Sequence, residues 1–240
     1  MRDRDRLLAA FSKDTGITLK PEQIAMIEAY TGLLLDYNQR VNLTAITDRE
    51  EIWRKHVLDS LLLFLALEIP PAAKVIDIGT GAGIPGLILK IYRPDLEMAL
   101  LESQNKKVAF LKKAVATLGL QGIECLWGRA EDIGRQKNYR ESFDLAVSRG
   151  LAGMNTLAEY CLPFVRVGGF MIAYKGPGGE GELNAAARAI EILGGGTKKV
   201  WRGSLTGGQE VRQLIIIQKE HPTPPVYPRR PGLPAKRPLQ

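Results

Sequence analysis

The 240-residue sequence predicts an α/β fold: a helical N-terminal appendage followed by a mostly parallel, doubly wound sheet of seven strands. Three observations support this class. From residue 74 onward, short apolar runs alternate with amphipathic stretches, as expected for strands joined by right-handed crossover helices. Residues 7–67 instead place apolar side chains at helical spacing. A glycine-rich turn separates the first strand from the next helix, which is typical of Rossmann-like folds.

The chain divides into three parts. Residues 1–70 form the appendage, which ends at Pro70-Pro71 because a proline pair interrupts a helix. Residues 71–220 form the core that contains the sheet. Residues 221–240 form a tail whose seven prolines predict no regular structure.

The β-branched run Val75-Ile76 with Ile78 predicts the first strand of the core at 74–78. A helix at 105–118 ends at Gly119, which is a common residue at helix C-termini. The last two strands lie on either side of Gly207-Gly208, and this short connection predicts an antiparallel hairpin. The other predicted elements are strands at 97–101, 123–127, 143–148, 170–174, 199–201 and 212–217, and helices near 157–164 and 183–193.

Composition limits the possible partners and compartments. A net charge of +7 and a pI of about 9.4 are compatible with a polyanionic partner, without requiring one. Cys125 and Cys161 have neither metal-ligand spacing nor a disulfide framework, and no metal site is expected. The charged segment Met1–Arg6 lacks the apolar core of a signal peptide, and no run is long enough to span a bilayer. We therefore expect a cytoplasmic protein.

The glycine turn is the first candidate site. Gly79, Gly81 and Gly83 follow the first strand, so that a nucleotide-like ligand can approach bare backbone at a helix N-terminus. The spacing fits either a dinucleotide or S-adenosylmethionine. Asp77 favours the second ligand, because a carboxylate there would repel a pyrophosphate but attract the ammonium group of a methionine moiety.

Residues at the ends of later strands extend this site. Glu102 follows Gly79 by 23 residues, close to the offset at which an acid accepts hydrogen bonds from ribose hydroxyls. Backbone groups of Ala130 and Glu131 follow the third strand, where the adenine edge would lie. Arg149 directly follows the fourth predicted strand, and its guanidinium suits a ligand carboxylate, a target phosphate or a structural salt bridge.

No residue pattern near these strand ends indicates a general base or a nucleophile. The sequence lacks the Asp/Asn-Pro-Pro-Tyr/Phe motif that polarises an exocyclic amine, and it has no Pro-Cys at a strand end. This pattern fits a methyl acceptor with a free lone pair, such as guanine N7. His56 and Asp59 lie on one helical face and can form a hydrogen bond, so His56 is either structural or a substrate contact.

The tail adds a basic surface. Arg229, Arg230, Lys236 and Arg237 are not offset by any acid within residues 221–240. Composition fits two interpretations: a flexible arm that becomes ordered on phosphate groups, or a solubilising, disordered terminus.

Four segments together resemble the ribosomal RNA small subunit methyltransferase G family, which is also called glucose-inhibited division protein B. They are Val41-Asn-Leu-Thr-Ala-Ile46, Arg54-Lys-His-Val-Leu-Asp-Ser60, Asp77-Ile-Gly-Thr-Gly-Ala-Gly-Ile-Pro-Gly86 and Tyr227-Pro-Arg-Arg-Pro-Gly-Leu-Pro-Ala-Lys236. The resemblance covers nearly the whole chain. It implies a class I methyltransferase fold and S-adenosylmethionine-dependent methylation of a guanine N7 in the 530 loop of 16S ribosomal RNA.

The resemblance also assigns residues. Cofactor positions of the family correspond to Gly79, Ile84, Ala130, Glu131 and Arg149, and Asp77, Gly81, Gly83 and Glu102 are added from the residue-level argument. Candidate RNA contacts are His56, Lys175, Arg229, Arg230, Lys236 and Arg237. The expected partner of the chain, acting as a monomer, is 16S RNA in the 30S subunit or in an assembly intermediate. Two other hypotheses are an RNA-binding factor with a vestigial cofactor site and an NAD-dependent oxidoreductase.

Overall fold

The computed structural model describes residues 3–205 and 211–240, and its centre is one sheet of seven strands in the order β3-β2-β1-β4-β5-β7-β6. All neighbouring strands are parallel except β7, which is antiparallel to both β5 and β6. The predicted α/β class and the antiparallel final pair are therefore confirmed, while the connection predicted at Gly207-Gly208 lies outside the described residues. The strands are β1 (Lys74–Ile78), β2 (Glu97–Glu102), β3 (Ile123–Trp127), β4 (Phe143–Arg149), β5 (Val165–Lys175), β6 (Gly195–Ser204) and β7 (Val211–Lys219).

Helices cover both faces of the sheet. Helix α7 occupies the predicted range and ends at Gly119, whose φ of 62° is the left-handed conformation that favours glycine. A π-helical segment, Trp53–Leu58, connects α3 to α4. The helices are α1 (Asp3–Thr15), α2 (Pro21–Asn38), α3 (Arg49–Ile52), α4 (Asp59–Leu61), α5 (Leu63–Ala66), α6 (Gly86–Tyr92), α7 (Asn105–Leu118), α8 (Ala130–Ile133), α9 (Met154–Cys161), α10 (Gly179–Ala185), α11 (Ala187–Ile192) and α12 (Leu233–Lys236).

Strand β5 begins five residues before its predicted start at residue 170. Gly168 has a φ of 83°, and the pairing register between β4 and β5 shifts near Phe143. A side chain at Gly169 would lie 2.6 Å from the carbonyl oxygen of Asp144. The two glycines therefore let the strand bend against β4 where the sequence pattern predicts a break.

The N-terminal helices share a hydrophobic core with one face of the sheet. Ile27, Tyr30 and Leu34 of α2 are fully buried in the same cluster as residues of α6 and α7. The hydroxyl of Tyr30 donates to the carbonyl of Ala82 in the glycine loop at 2.8 Å. The N-terminal helices, through α2, thus help to position the loop that follows β1.

The C-terminal tail is ordered and packs against the core. The Arg140 guanidinium donates to the carbonyls of Thr223 and Tyr227 at 2.6 and 2.7 Å. Residues 233–236 form the short helix α12, which begins with a proline in its first turn. The expectation of a structureless tail was wrong, because proline is compatible with the first turn of a helix and long-range contacts fix the rest.

Across the two described ranges, none of the helices combines the length and the apolar character needed to cross a membrane.

Candidate cofactor site

The glycine loop lies at the carboxyl end of β1, held against β2. The amides of Gly79 and Thr80 both donate to the carbonyl of Leu101, at 2.9 and 3.1 Å. Gly79 has a φ of 68°, and a Cβ at this position would lie 2.7 Å from the side chain of Leu151. Gly83 has a φ of 87°, and its Cβ would lie 2.3 Å from Leu87. At Gly79 and Gly83, side chains are thus excluded by both backbone conformation and space.

Asp77 lies beneath the loop and is fully buried. Its Oδ2 accepts hydrogen bonds from the Thr80 hydroxyl at 2.6 Å and the Gly86 amide at 2.8 Å. Burial raises the pKa of Asp77 to about 6. Asp77 does not line the cavities beside the loop, and the bonds of its Oδ2 close the loop onto the start of α6. Its other oxygen, Oδ1, is buried without a hydrogen-bond partner among the described residues, and its direct contact with an ammonium group stays a prediction.

Glu102 ends β2 on the ligand-facing side of the loop. Its Oε2 accepts from the Gly81 amide at 3.1 Å, and its Oε1 accepts from the Gln104 amide at 2.8 Å. Oε1 also accepts from the Ser103 hydroxyl at 3.4 Å. These bonds fix the carboxylate, and Oε2 retains a second lone pair that a hydroxyl could use. The predicted role in binding ribose hydroxyls is compatible with this position.

Two cavities flank Gly79, and both are also lined by Ser103 and Leu151. One, of about 350 Å³, contains Ala130 and Glu131 from α8. The other, of about 300 Å³, contains the remaining predicted cofactor residues except Asp77 and Gly83: Gly81, Ile84, Glu102 and Arg149. The fold therefore brings residues from the ends of four neighbouring strands into one cleft. A larger cavity of about 550 Å³ at the opposite end of the strands contains none of the predicted site residues.

Arg149 connects the cleft to the N-terminal helices. Its Nη1 donates to Asp59 Oδ2 at 3.0 Å and to the Lys55 carbonyl at 2.7 Å. Its Nη2 lies 2.8 Å from His56 Nδ1 and donates to it. Arg149 thus takes the place of the predicted direct bond between His56 and Asp59. The other oxygen of Asp59 accepts from Arg212 at 2.9 Å.

His56 is neutral in this arrangement. Burial, together with the adjacent Arg149 charge, lowers the pKa of His56 to about 4. Because Nδ1 accepts from Arg149, Nε2 holds the ring proton and donates to the Thr44 hydroxyl at 2.9 Å. Thr44 lines the smaller cavity beside Gly79, and the Asn38 side chain fixes its backbone through both the amide and the carbonyl. Asp59 was predicted only as a partner of His56 on the same helical face. Neither Thr44, which lies outside the helices, nor Asn38 was assigned as a site residue from the sequence.

The candidate RNA contacts separate into two groups. Lys175 lies near Arg149, where its Nζ donates to Glu182 and to the Ala152 carbonyl, both at 2.8 Å. Arg229 forms a two-pronged ion pair with Glu159, whose side chain is fully buried. By contrast, three tail cations are exposed and form no ion pair with the residues that the structure describes: Arg230, Lys236 and Arg237.

The cleft fits S-adenosyl-L-methionine on its own geometry. Gly79 and Gly81 supply bare backbone, and a Cβ at Gly79 would clash with Leu151, which lines both cavities. Glu102 presents a fixed carboxylate, which suits the ribose hydroxyls. The cavity at Ala130 and Glu131 lies at the strand position that receives the adenine in doubly wound sheets. These residues would hold the cofactor.

Comparisons with known proteins agree with this interpretation. The family model described as rRNA small subunit methyltransferase G matches residues 23–210. A ribosomal RNA small subunit methyltransferase G from Desulforamulus reducens is 42% identical over 239 residues, with 100% of each chain covered.

Solved structures of low identity share the fold. Precorrin-6y C5,15-methyltransferase from Geobacter metallireducens gives a TM-score of 0.51 at 14% identity, covering 73% of this chain and 90% of its own. An S-adenosylmethionine-dependent methyltransferase from Aquifex aeolicus gives 0.50 at 14% identity, covering 71% and 93%. The family match and the full-length identity show that the chain belongs to the rRNA small subunit methyltransferase G family, with S-adenosyl-L-methionine as its cofactor.

Proposed function

We propose that the protein methylates N7 of a specific guanine in the 530 loop of 16S ribosomal RNA. Family membership supports a ribosomal RNA substrate, and the sequence resemblance implies the guanine, its loop and the N7 atom. The transfer is direct and in line, without a strong general base. When bound, the cofactor supplies a methyl group attached to a positively charged sulfur.

The observation that supports this reaction best is the state of the titratable groups around the cleft. His56 donates from Nε2 and accepts at Nδ1, and the low pKa keeps the ring neutral near pH 7. Both oxygens of Glu102 accept loop hydrogen bonds. Neither group is arranged to remove a proton from a substrate. Guanine N7 has an in-plane lone pair and no proton to remove, so an acceptor of this kind needs only to be positioned.

Arg149 is the candidate for positioning the reactants. It ends β4 at the boundary between two cavities, one containing the glycine loop and one containing Lys175 and Arg212. Asp59 and His56 fix its guanidinium, which limits its side-chain freedom before any ligand arrives. A fixed cation at this point would orient a carboxylate or a phosphate.

The RNA-binding surface extends beyond the cleft. The exposed cations Arg230, Lys236 and Arg237 are available for phosphate contacts, and Lys106 is exposed in the first turn of α7. Lys107 of α7 lines the cavity that contains Glu102. We propose that a monomer acts on the 30S subunit or on an assembly intermediate.

Methyl transfer to reconstituted 30S subunits tests the proposal directly. Subunits that contain 16S RNA from a strain lacking the modification are incubated with the protein and labelled S-adenosyl-L-methionine, and the label is mapped by mass spectrometry. We expect incorporation at one guanine of the 530 loop. In a matched control, 7-deazaguanine at that position replaces N7 with a C–H group, and incorporation is expected to be lost.

Incorporation into the 7-deaza control, or at an exocyclic amine, would exclude the N7 acceptor. Cofactor binding that is absent or only millimolar by calorimetry would instead favour the non-catalytic RNA-binding factor. The first result tests the acceptor atom, and the second tests whether the chain binds the cofactor.

A further inference from the structure

The C-terminal tail lies against the cavity that contains Ala130 and Glu131. Glu131 is 2% exposed, and its Oε1 accepts a hydrogen bond from the Gly232 amide at 2.8 Å. Ala235 of α12 lines this cavity. The tail therefore supplies part of the cavity wall and also holds one of the residues that form the rest.

A second contact links the tail to the opposite wall. The Thr156 hydroxyl donates to the Pro234 carbonyl at 3.2 Å, and Thr156 lines the same cavity from helix α9. Since α8 and α9 follow different strands, the tail joins two parts of the wall that are far apart in sequence. Residues 232–235 bridge the rim of the cavity.

The tail is held in this position by a buried ion pair. Glu159 of α9 is fully buried, and its oxygens accept from Arg229 Nε at 2.9 and 3.0 Å and from Nη2 at 2.6 Å. The Arg229 amide donates to the same carboxylate at 2.7 Å. A carboxylate without access to water needs such partners, so Glu159 specifies the position of the chain at Arg229.

We propose that the C-terminal tail is part of the cofactor-binding site, where it closes the adenine end of the cavity and is fixed there by Arg229 and Glu159. This inference rests on the proposed function only in assigning this cavity to the adenosyl moiety. It gives the two neighbouring arginines different roles. Arg229 is a positioning residue for the cofactor cavity, whereas the exposed Arg230 is free to contact RNA.

The pair Arg229→Ala and Arg230→Ala tests this division. Each variant removes one guanidinium from adjacent positions of the same chain. We expect Arg229→Ala to weaken binding of S-adenosyl-L-methionine and of adenosine by about tenfold in isothermal titration calorimetry. Arg230→Ala is expected to leave both affinities unchanged and to reduce only RNA binding. Circular dichroism and thermal unfolding of both variants report whether the fold persists.

A second variant keeps the ion pair and acts only on the cavity. Ala235 is exposed on α12, and Ala235→Trp would place an indole against the adenine end without breaking a described tail contact. We expect loss of cofactor affinity with an unchanged unfolding midpoint. The same calorimetry decides the inference if Arg229→Ala fails to fold.

Wild-type affinity for cofactor and adenosine in a folded Arg229→Ala, or in Ala235→Trp, would overturn the inference. Those results would leave the methyl-transfer proposal intact. Conversely, a wild-type protein that binds the cofactor but methylates no guanine would contradict the proposed function and leave the role of the tail unaffected.

Discussion

The glycine loop and the C-terminal tail line the same cleft, but different interactions hold them. The loop is fixed by its own neighbourhood: Asp77 bonds Thr80 and Gly86 within nine residues, and backbone amides bond the adjacent strand β2. The tail is fixed by acids that are distant in sequence, with 70 residues between Arg229 and Glu159 and 101 between Gly232 and Glu131. One part of the site is thus held by contacts between residues close in sequence, and another part by contacts between residues far apart in sequence.

This difference separates two ways of forming a binding surface. The loop depends on steric exclusion, since its glycines have left-handed backbone conformations that other residues rarely adopt. The tail is instead held by buried carboxylates, which need hydrogen-bond donors because they have no access to water. Substitutions in the loop should therefore affect folding and cofactor binding together, while substitutions at exposed tail residues that do not line the cavity should affect neither.

The largest effect is expected from Gly83→Val. A β-branched residue at a φ of 87° is strained, and its Cβ would lie 2.3 Å from Leu87. Strain and overpacking together should cost about 2–5 kcal/mol, which corresponds to a fall of about 5–15 °C in the unfolding midpoint. Thermal unfolding and cofactor calorimetry measure both consequences.

Gly16→Val is the matched control. Gly16 has a φ of 76°, but a Cβ at this position would have no atom within 4 Å, and the residue lies outside the cleft. The variant should show the backbone strain alone and keep wild-type cofactor affinity. Equal destabilisation in the two variants would mean that steric exclusion at Gly83 contributes nothing.

The same distinction explains what the sequence could predict. Strands β1 and β3 and helix α7 lie where local patterns placed them, because β-branched runs and a C-terminal glycine act over a few residues. Glu102 was found by its offset from the glycine turn. The tail was predicted incorrectly, since nothing near Arg229 in sequence indicates that Glu159 is buried opposite it. The links between Arg149, His56 and Thr44 likewise depend on tertiary packing.

A smaller effect is expected in the pH dependence of folding on the loop side of the cleft. Burial raises the pKa of Asp77 to about 6, so its folded form binds a proton more tightly than an unfolded aspartate does. The stability from this site is present below pH 4 and is lost as the pH rises to about 6. Burial lowers the pKa of His56 to about 4, so its contribution has the opposite sign: it is present above about pH 6.5 and is lost as the pH falls to about 4.

Each site corresponds to about 3 kcal/mol in the free energy of unfolding, and the two largely cancel between pH 4 and 6.5. In Asp77→Asn only the His56 contribution remains, so the free energy of unfolding should rise with pH. In His56→Gln only the Asp77 contribution remains, so the free energy of unfolding should fall with pH. Urea unfolding at half-unit pH intervals measures these slopes against the flatter wild-type curve. Parallel curves for all three proteins would contradict the assignment of these ionisations.

The smallest effect on folding is expected at the exposed cations of the tail. A variant with Arg230→Gln, Lys236→Gln and Arg237→Gln removes three charges that form no ion pair with the described residues. Surface changes of this kind typically alter stability by less than about 0.5 kcal/mol each, and cofactor affinity should remain unchanged.

If these side chains contact phosphates, the slope of log affinity for RNA against log salt should fall by about 2–3. Filter binding at several salt concentrations measures that slope, with Arg229→Gln as the comparison. Because Arg229 is engaged with Glu159, Arg229→Gln should lower cofactor affinity and leave the salt slope near wild type; the reverse pattern would show that the tail acts on RNA alone.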